Sequence, residues 1–256
     1  MFKIASWNVN SLRVRLPHVL TWMEAAQPDV LALQETKLQD GDFPAAEFEA
    51  MDYHPLYCGQ KTYNGVAILC REPGNDVVTA LPELDDPQKR LLCATIDGVR
   101  VINVYIPNGA SVDSEKYRYK LNWLAHLRNF LEAQLRQYPD LVLLGDFNIA
   151  PTDEDVHDPE QWREKILCST PERAAFQALL DTGLQDTFRC FPRDGKEFSW
   201  WDYRMAAFRR NRGLRIDLIL ASRALAARCA ASTIDKEPRR WERPSDHAPV
   251  IAEFDV

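Results

Sequence analysis

The stretch LVLLGDFNIAPTDEDVHDP, from Leu141 to Pro159, carries the pattern from which the fold can be inferred. Its first four residues are apolar and predict a buried strand, since a short apolar run followed by turn residues is typical of a sheet interior. The run leads directly into Asp146 and Asn148, and His157 follows among further acids that we expect to be loop and capping residues. A buried carboxylate is costly unless it is paired, hydrogen-bonded or bound to a metal. The stretch therefore predicts a sheet edge where Asp146 meets other polar groups.

Further strands and helices follow from the apolar pattern on both sides of this stretch. Strands are predicted at 2–9, 30–34, 65–70, 91–96, 101–106, 141–144, 215–221 and 249–254. Helices are predicted after Pro17, between Ser114 and Pro139, and over 171–182. The turn Asp97-Gly98 joins two strands as a hairpin within an otherwise alternating pattern, so we expect mixed sheets. No linker-like segment interrupts residues 1–256, which predicts a single α/β domain.

The composition fits a globular protein and argues against several classes. Hydrophobic residues make up 46% and charged residues 27% of the chain, unlike a disordered protein. The net charge of -7 argues mildly against a nucleic-acid binder, although carboxylates gathered around a divalent cation give the same balance. No apolar run approaches the roughly 20 residues of a membrane span. The six cysteines form no C-x-x-C pair and no secretory leader is evident, so we expect reduced thiols in a cytoplasmic protein.

Polar residues stand at the ends of several predicted strands, as Asp146 does. They are Asn8, Glu35, Tyr105, Asn108, Asp146, Asn148, Asp217, Asp246 and His247. A single acid at a strand end is most often a solvated loop residue or a turn cap. Where several strand ends converge at one rim of a sheet, the same residue types form a site.

Each charged residue has a chemical role and a simpler alternative. Glu35 offers the oxygen ligands that Mg²⁺ accepts, or else forms a surface ion pair with Lys37. Asp146 is suited to activate a water, or else caps the turn after its strand. His247 is suited to proton transfer or phosphate binding, or else is a structural histidine. Asp217, in the apolar segment RIDLILAS, needs a partner, which is either a histidine that it orients or Arg215 or Arg212.

Six motifs together resemble the exonuclease III family of DNA-repair nucleases, within the endonuclease/exonuclease/phosphatase superfamily. They are SWNVNSLR, LQETK, GDFNIAPTD, WWDYR, GLRIDLILAS and PSDHAPV. Any one of them alone is weak evidence. All six occur in the family's order and span essentially the whole chain, which makes the resemblance specific.

The resemblance implies a four-layered α-β-β-α sandwich, with two mixed β-sheets packed face to face, and a metal-dependent phosphodiesterase. It implies a site for Mg²⁺, with Mn²⁺ as an alternative, at Asn8, Glu35 and Asp246. It also implies catalytic roles for five residues, namely Tyr105, Asp146, Asn148, Asp217 and His247. In this scheme Asp146 deprotonates a water held by Asn148, and His247, oriented by Asp217, stabilises the charge that develops on the phosphate.

The segment WWDYRMAAFRRNRGLR supplies basic residues that the net charge conceals. Arg204, Arg209 and Arg210 alternate there with aromatic residues, a combination suited to phosphates and bases. The alternative is a solvated charged loop around a partly buried tryptophan pair. The family resemblance implies an apolar pocket for a flipped sugar or terminal nucleotide. The implied pocket residues are Trp200, Leu214 and Ile216, and Lys61, Asn108, Arg13 and Lys37 are weaker candidates for backbone contacts.

His157 bears on the choice of substrate. In the family that this chain resembles, several members have a glycine or another small residue near this position. A large imidazole there would obstruct a DNA strand that continues past the cut. We therefore expect 3′-end processing to prevail over incision at abasic sites. The alternative is that His157 points to solvent and changes nothing. The expected partner is double-stranded DNA with 3′ ends, nicks or abasic sites, bound by a monomer.

Two other classes of protein compete with this interpretation. A superfamily phosphatase or lipid phosphodiesterase would share the metal site but should lack the WWDYR and GLRIDLILAS context. A non-catalytic DNA-binding module would not need intact metal-binding and water-activating positions.

Overall fold

Twelve strands and six α-helices make up the computed structural model, which describes residues 1–256. The strands are β1 (Phe2–Asn8), β2 (Val30–Gln34), β3 (His54–Cys58), β4 (Val66–Cys70), β5 (Asn75–Val78), β6 (Leu91–Ile96), β7 (Val99–Tyr105), β8 (Leu141–Asp146), β9 (Leu184–Asp186), β10 (Asp217–Ser222), β11 (Cys229–Ile234) and β12 (Val250–Phe254). The helices are α1 (Leu12–Ala26), α2 (Ala45–Glu49), α3 (Glu115–Gln137), α4 (Pro159–Trp162), α5 (Thr170–Leu180) and α6 (Arg223–Ala226).

The strands form two six-stranded sheets. The first sheet has the order β11-β12-β1-β2-β4-β3 and the second has the order β5-β6-β7-β8-β10-β9. The pairs β1–β2 and β7–β8 are parallel, and every other pair is antiparallel. Both sheets are therefore mixed, as the hairpin signals predicted.

Apolar side chains arrange the two sheets and the helices in four layers. Between the sheets, Ile4 and Ala32 of the first sheet share one buried cluster with Val101 and Val142 of the second. On the outer face of the first sheet, α1 contributes Trp22 and Met23, and α2 contributes Phe48, to a second cluster. On the outer face of the second sheet, α3 and α5 contribute Leu124, Leu127 and Phe176 to a third. The predicted α-β-β-α sandwich is confirmed.

Helix α3 begins and packs as its sequence predicts. The Ser114 hydroxyl caps the helix by accepting from the Tyr117 backbone N–H, and Leu124, Leu127 and Leu131 lie buried along one stripe. Leu135 packs at the edge of the same cluster. Such a stripe anchors a helix against a sheet because it removes several large side chains from water on one face.

Strand direction brings the predicted polar residues to one rim. Parallel strands β1, β2, β7 and β8 end there, and antiparallel strand β10 begins there, so Asp217 lies directly opposite Asp146 in the register of β10 and β8. Tyr105 lies opposite Asp146 on the other side, in the register of β7 and β8. In the first sheet, Asn8 lies opposite Gln34, and Glu35 follows. The rim therefore collects side chains from both sheets.

A buried polar network ties the sheets together close to this rim. Asn103 of β7 donates to the backbone oxygens of Leu33 and Ala67 in the opposite sheet, at 2.9 and 2.8 Å. The Gln34 amide donates to Asn103 Oδ1 at 2.8 Å and to Ser6 Oγ at 2.9 Å. These bonds satisfy the whole Asn103 amide and the Gln34 NH₂ group, which would otherwise be costly between two apolar faces, whereas Gln34 Oε1 has no protein partner.

Candidate active site

Asp146, at the end of β8, lies at the centre of the candidate active site. Its carboxylate accepts from Asn8 Nδ2 at 2.9 Å and from the Asn148 backbone N–H at 2.9 Å. Gly145 allows this placement, because a Cβ there would lie 1.9 Å from the Val104 backbone oxygen. Burial raises the pKa of the Asp146 carboxyl to about 7, even though the neighbouring imidazole of His247 and the hydrogen bonds act in the opposite direction. A carboxylate with a raised pKa is suited to accept a proton near neutral pH.

Asn148 connects Asp146 to the loop after β7. It adopts a left-handed backbone conformation with φ 50°, which asparagine tolerates better than most residues. Its amide donates to the Ile106 backbone oxygen at 3.0 Å, and its Oδ1 accepts from Asn108 Nδ2 at 2.9 Å. Asn148 and Asn108, both predicted from the sequence, thus lie side by side at the rim.

His247 stands between Asp217 and Asp146. Its Nδ1 lies 2.9 Å from Asp217 Oδ2, and its Nε2 lies 3.8 Å from Asp146 Oδ2. Burial lowers the pKa of His247, but the surrounding carboxylates of Asp217, Asp146 and Asp246 outweigh it and raise that pKa to about 10. The imidazolium form is therefore favoured at neutral pH. The Ser199 hydroxyl fixes the backbone of Asp217 by accepting its N–H at 3.0 Å.

Asp217 does not pair with an arginine, which was the simpler alternative for its burial. Arg215 instead binds Asp155 through Nε at 2.6 Å and Asp186 through Nη2 at 2.6 Å. Asp217, the first residue of β10, is left to orient His247, as the other interpretation of the sequence predicted.

Glu35 extends the cluster towards the first sheet. Its Oε1 accepts from Asn8 Nδ2 at 3.0 Å, and its Oε2 lies 2.9 Å from the Lys37 ammonium. Burial raises the pKa of Glu35, but the Lys37 charge and the Asn8 hydrogen bond outweigh it, so the net shift is downward. The carboxylate is therefore ionised and partly neutralised by Lys37.

Ligand atoms of Glu35, Asp146 and His247 all lie within 4.8 Å of one another, close enough to surround one metal ion. The donor set fits a hard divalent cation, which prefers one or two carboxylates and retains several waters. Because His247 is engaged with Asp217 and favours its protonated form, the two carboxylates are the better ligands. Asn8, which donates to both carboxylates, holds them together.

Asp246, the third predicted metal ligand, lies at the edge of this cluster. Its carboxylate accepts from Asn10 Nδ2 and from Trp200 Nε1, each at 3.0 Å. Burial raises its pKa, but the charge of His247 and these two hydrogen bonds outweigh it and lower that pKa below its usual range. Asp246 thus fixes the indole of Trp200 beside the rim.

Tyr105 is a neutral hydrogen-bond donor at the rim. Burial, together with the Glu35 and Asp146 carboxylates, raises the pKa of its hydroxyl well above the ordinary range. The Arg90 guanidinium lies 4.8 Å from its ring centre, and Arg90 Nη1 donates to its backbone oxygen at 3.2 Å. These contacts fix the ring, which stays half-exposed at the site.

The apolar residues predicted to receive a sugar or nucleotide lie together. Leu214 and Ile216 are buried with Val156 and Leu167, and Trp200 packs against them half-exposed. Isolated β-bridges run from Val156 to Leu214, from Leu214 to Trp200, and from Trp200 to His247. The cluster is thus joined through its backbone to His247.

The basic residues predicted to contact DNA are exposed. Arg204, Arg209 and Arg210 lie on the surface of the segment after Trp201, whose fully buried ring packs edge-on against Phe208 at 5.0 Å. The further candidates Lys61, Arg13 and Asn108 are also exposed. The aromatic anchor holds an irregular segment in place while its arginines remain free to meet phosphates.

His157 does not project freely into solvent. Its ring is half-buried, its Nδ1 lies 3.1 Å from the Gly213 backbone oxygen, and it packs edge-on against Trp162 at 6.4 Å. Since Gly213 immediately precedes Leu214, and Trp162 packs against the same cluster, the ring flanks the apolar cluster. These contacts hold the partly exposed ring in one place, and its effect on the choice of substrate stays a prediction.

Several residues around the site gave no signal in the sequence. Ser199 and Arg90 act through backbone contacts that no motif reveals. Lys120 and Glu172, both fully buried, lie on amphipathic helices where a charged residue is ordinarily placed on the solvent side. Glu172 has one sequence signal, since Ser169 and Glu172 form the S-x-x-E capping box of α5, but that motif explains only the start of the helix. Its contact with Lys120 is visible only in the packed structure.

A family model described as the endonuclease/exonuclease/phosphatase family matches residues 5–247. The chain belongs to this family. It is 40% identical to exodeoxyribonuclease III of Haemophilus influenzae over 98% of its own length and 99% of that protein.

Solved structures agree with this assignment. The 3′–5′ exonuclease NExo from Neisseria meningitidis is 54% identical, with a TM-score of 0.98 and full coverage of both chains. A second structure, of the 3′ phosphatase NExo from Neisseria bound to a product DNA hairpin, is 53% identical, with the same TM-score and coverage. An AP endonuclease from Archaeoglobus fulgidus is 40% identical, with a TM-score of 0.96 and full coverage of both chains.

Two further expectations bear on the protein's setting. All six cysteines are free thiols, as the absence of paired motifs suggested. No helix, including α3, the longest, is both long enough and apolar enough to cross a membrane.

Proposed function

We propose that this protein is a metal-dependent DNA phosphodiesterase of base-excision repair that acts at 3′ ends, as a 3′→5′ exonuclease and 3′-end-cleaning enzyme that leaves a 3′-hydroxyl. The observation that carries the proposal is the junction at Asp146. There a buried carboxylate with a raised pKa touches Asn8, Asn148 and His247, residues that also reach Glu35 and Asp217. The proposed base Asp146, the proposed charge stabiliser His247 and the proposed metal ligand Glu35 thus lie next to one another.

The proposed mechanism assigns one task to each residue. Asp146 removes a proton from a water, and the water oxygen attacks phosphorus as the bond from phosphorus to the 3′ oxygen breaks. The released 3′ oxygen takes a proton from solvent and becomes the 3′-hydroxyl. Asn148 holds Asp146 and the water in line. His247, charged because of Asp217, and the Tyr105 hydroxyl donate to the phosphate oxygens, where negative charge increases in the transition state.

Glu35, with Asn8 and Asp246 nearby, is proposed to hold Mg²⁺, or alternatively Mn²⁺. When bound, the ion supplies positive charge that neutralises a phosphate oxygen. The support is the chemistry of the ligands, since carboxylate and amide oxygens suit a hard cation. Lys37, at 2.9 Å from Glu35, balances that carboxylate from the opposite side.

Removal of a 3′ phosphate, removal of a terminal nucleotide and incision at an abasic site all break the same type of bond. They differ in what is attached to the phosphate on the side away from the retained strand. A 3′ phosphate carries nothing there, a terminal nucleotide carries one nucleoside, and an abasic site carries the rest of the strand. His157 and Trp162 occupy space beside the apolar cluster, which favours the first two. The similar protein NExo is described as a 3′ phosphatase and as a 3′–5′ exonuclease, which supports the same choice.

Incision at abasic sites is the second candidate. It is favoured by the 40% identity to the Archaeoglobus fulgidus AP endonuclease, which is lower than the identity to NExo. A phosphatase or lipid phosphodiesterase of the same superfamily is a more distant candidate. The exposed Arg204, Arg209 and Arg210 argue against it because they suit an extended polyanion.

A panel of three labelled duplexes of identical sequence tests the proposal. One carries a recessed 3′-hydroxyl, one a 3′-phosphate and one an internal abasic site, each assayed with Mg²⁺ and with EDTA. We expect the first two to be processed faster than the third, and only with metal. A faster reaction at the abasic site would establish the second candidate instead. Near-normal turnover by Asp146→Asn at saturating Mg²⁺ would show that the base is assigned wrongly.

The proposal extends to the whole chain acting as one catalytic domain and as a monomer on double-stranded DNA. The shared cluster between the sheets, with Ile4 on one side and Val142 on the other, supports a single domain. One cooperative unfolding transition and a monomeric mass by light scattering are the expected results. Two separate transitions would contradict the single domain.

A further inference from the structure

Lys120 is a fully buried lysine whose ammonium lies behind the rim. Its Nζ donates to the Asn148 backbone oxygen at 2.6 Å, to the Asn108 backbone oxygen at 3.2 Å, and to Glu172. A lysine ammonium has three N–H donors, so every donor has an acceptor. Two of the three acceptors belong to residues of the candidate active site.

Glu172 completes the same buried group from α5. One carboxylate oxygen accepts from Lys120 and from the Leu167 backbone N–H at 3.1 Å. The other accepts from Ser169, through its backbone N–H at 3.1 Å and its hydroxyl at 2.6 Å. The Ser169 hydroxyl also lies 2.7 Å from the hydroxyl of Tyr117 on α3. The pair therefore joins α3 and α5 to three loops at the rim.

Stability alone is a weak explanation for this pair. A buried ion pair contributes little more than apolar side chains of similar volume, because both charges lose their water. Two helices that already share an apolar cluster do not need it for packing. What apolar side chains could not supply is a donor for the carbonyls of Asn108 and Asn148.

The hydrogen bonds from Lys120 to these two backbone oxygens restrain the backbone conformations of Asn108 and Asn148. Asn148 has φ 50°, a region that a non-glycine residue occupies at a cost unless its surroundings hold it there. Asn108 and Asn148 are also joined by a side-chain hydrogen bond of 2.9 Å. A single ammonium thus holds the backbone of two residues whose side chains already hold each other.

We infer that Lys120 and Glu172 are positioning residues, which act through Asn148 and Asn108 to set the geometry of the attacking water and the phosphate. This inference rests on the role proposed above for Asn148. Small displacements of a catalytic group lower turnover steeply, by about 100-fold for 1 Å. Loss of the ammonium is therefore expected to lower kcat while DNA binding, which depends on other residues, persists.

The test measures kcat and KM for Mg²⁺-dependent processing of a recessed 3′ end, well below the melting temperature of each variant. Lys120→Met is expected to lower kcat about 10- to 100-fold and to change KM less than about threefold. If that variant does not fold, Lys120→Met combined with Glu172→Gln replaces it. The double change removes both charges while the glutamine can still accept from Ser169.

Arg100 provides a matched control. It is 2% exposed and makes three hydrogen bonds, to Gln134, Asp76 and Thr95, at the end of β7 remote from Tyr105. Arg100→Met should lower the melting temperature and leave the kcat of the folded protein unchanged. An equal fall of kcat in both variants would show that loss of a buried charge, and not positioning, is responsible.

A double-mutant cycle with Asn148→Ala separates this inference from the proposed function. If Lys120 acts through Asn148, Lys120→Met lowers kcat much less in the Asn148→Ala background than in the wild-type protein. Equal losses in the two backgrounds, or a wild-type kcat for Lys120→Met, would overturn the inference while leaving the proposed function intact. An Asn148→Ala variant with wild-type kcat would overturn both the role of Asn148 and the inference that rests on it.

Discussion

Arg215 and Asp155 form an ion pair that fastens the loop carrying His157 to the beginning of β10. The Nε–Oδ1 distance is 2.6 Å, neither side chain exceeds 2% exposure, and the Arg215 backbone N–H donates to the Asp155 backbone oxygen at 2.9 Å. Asp217 follows two residues later. We therefore expect the ion pair to help position Asp217, which contacts His247 at 2.9 Å.

We expect Asp155→Asn to lower the free energy of unfolding by about 1.5–3 kcal/mol, the range for a buried hydrogen bond to a charged group. Arg215 retains Asp186, which limits the loss. Urea denaturation measures it. Glu160→Gln serves as the control because its ion pair with Arg163 is exposed. Equal, small changes in both variants would show that the pair is not important for stability.

Asp146→Asn is expected to lower kcat by about 10²- to 10⁴-fold, the usual contribution of a general base. DNA affinity should stay the same or rise, since a negative charge near the phosphate is removed. Single-turnover rates and binding of a labelled duplex measure the two effects. Asp153→Asn, in the same loop but 65% exposed and paired with Arg173, should behave like the wild-type protein.

Asp217→Asn is expected to change how stability varies with pH. His247 has a pKa of about 10 in the folded protein, above its ordinary value of 6.5, so its charge stabilises the fold fully below about pH 6.5. That contribution is lost as pH rises towards 10. In metal-free protein, the free energy of unfolding should fall over this range in the wild type and fall less in Asp217→Asn. Parallel curves would mean that Asp217 does not hold the charge on His247.

Binding of Mg²⁺ should raise the melting temperature, and EDTA should reverse this and abolish activity. Asp146 lies beside the proposed ion site, and its pKa is raised to about 7. Its negative charge, which attracts the ion, is lost as pH falls below that value, so metal affinity should weaken there. Calorimetric titration at several pH values measures this. Glu35→Gln should weaken binding more than Asp246→Asn, whose carboxylate is engaged with Asn10 and Trp200. The reverse order would place the ion on Asp246.

His157→Gly is expected to raise the ratio of abasic-site incision to 3′-end processing, because it opens space beside Trp162 and Gly213. The ratio of kcat/KM values on the two substrates measures it. Trp162→Ala is the companion variant, since it removes the neighbouring ring but keeps His157. An unchanged ratio in both variants would end the steric explanation.

The sequence predicts the sheets better in their interiors than at their edges. The strands without a sequence signal are β3, β5, β9 and β11, and all four are edge strands. Strand β5 has almost no buried residue, whereas β2, β4 and β8 are buried throughout. An edge strand lacks the two-sided burial that produces a continuous apolar run, so its sequence resembles a loop.

The residues of the candidate site likewise fall into a group that the sequence predicts and a group that it does not. Asp146 and Asn148 were predictable because a buried strand that ends in polar residues needs an explanation. Lys120 was not, because YRYKLNW is an ordinary helical sequence and only the packed structure shows that its lysine faces inward. Local pattern identifies the groups proposed to meet substrate, whereas the groups that support them depend on tertiary contacts.

The two sheets contribute different halves of the candidate site. Asn8 and Glu35 follow strands of the first sheet, whereas Asp146, Asn148 and Tyr105 belong to the second. The separation of Glu35 from Asp146 therefore depends on the apolar side chains that fill the space between the sheets. Small residues there, such as Ala32 and Ala94, act as spacers. We expect a larger side chain at either position to move the sheets apart, so that a substitution in the middle of the molecule would alter the geometry of the rim.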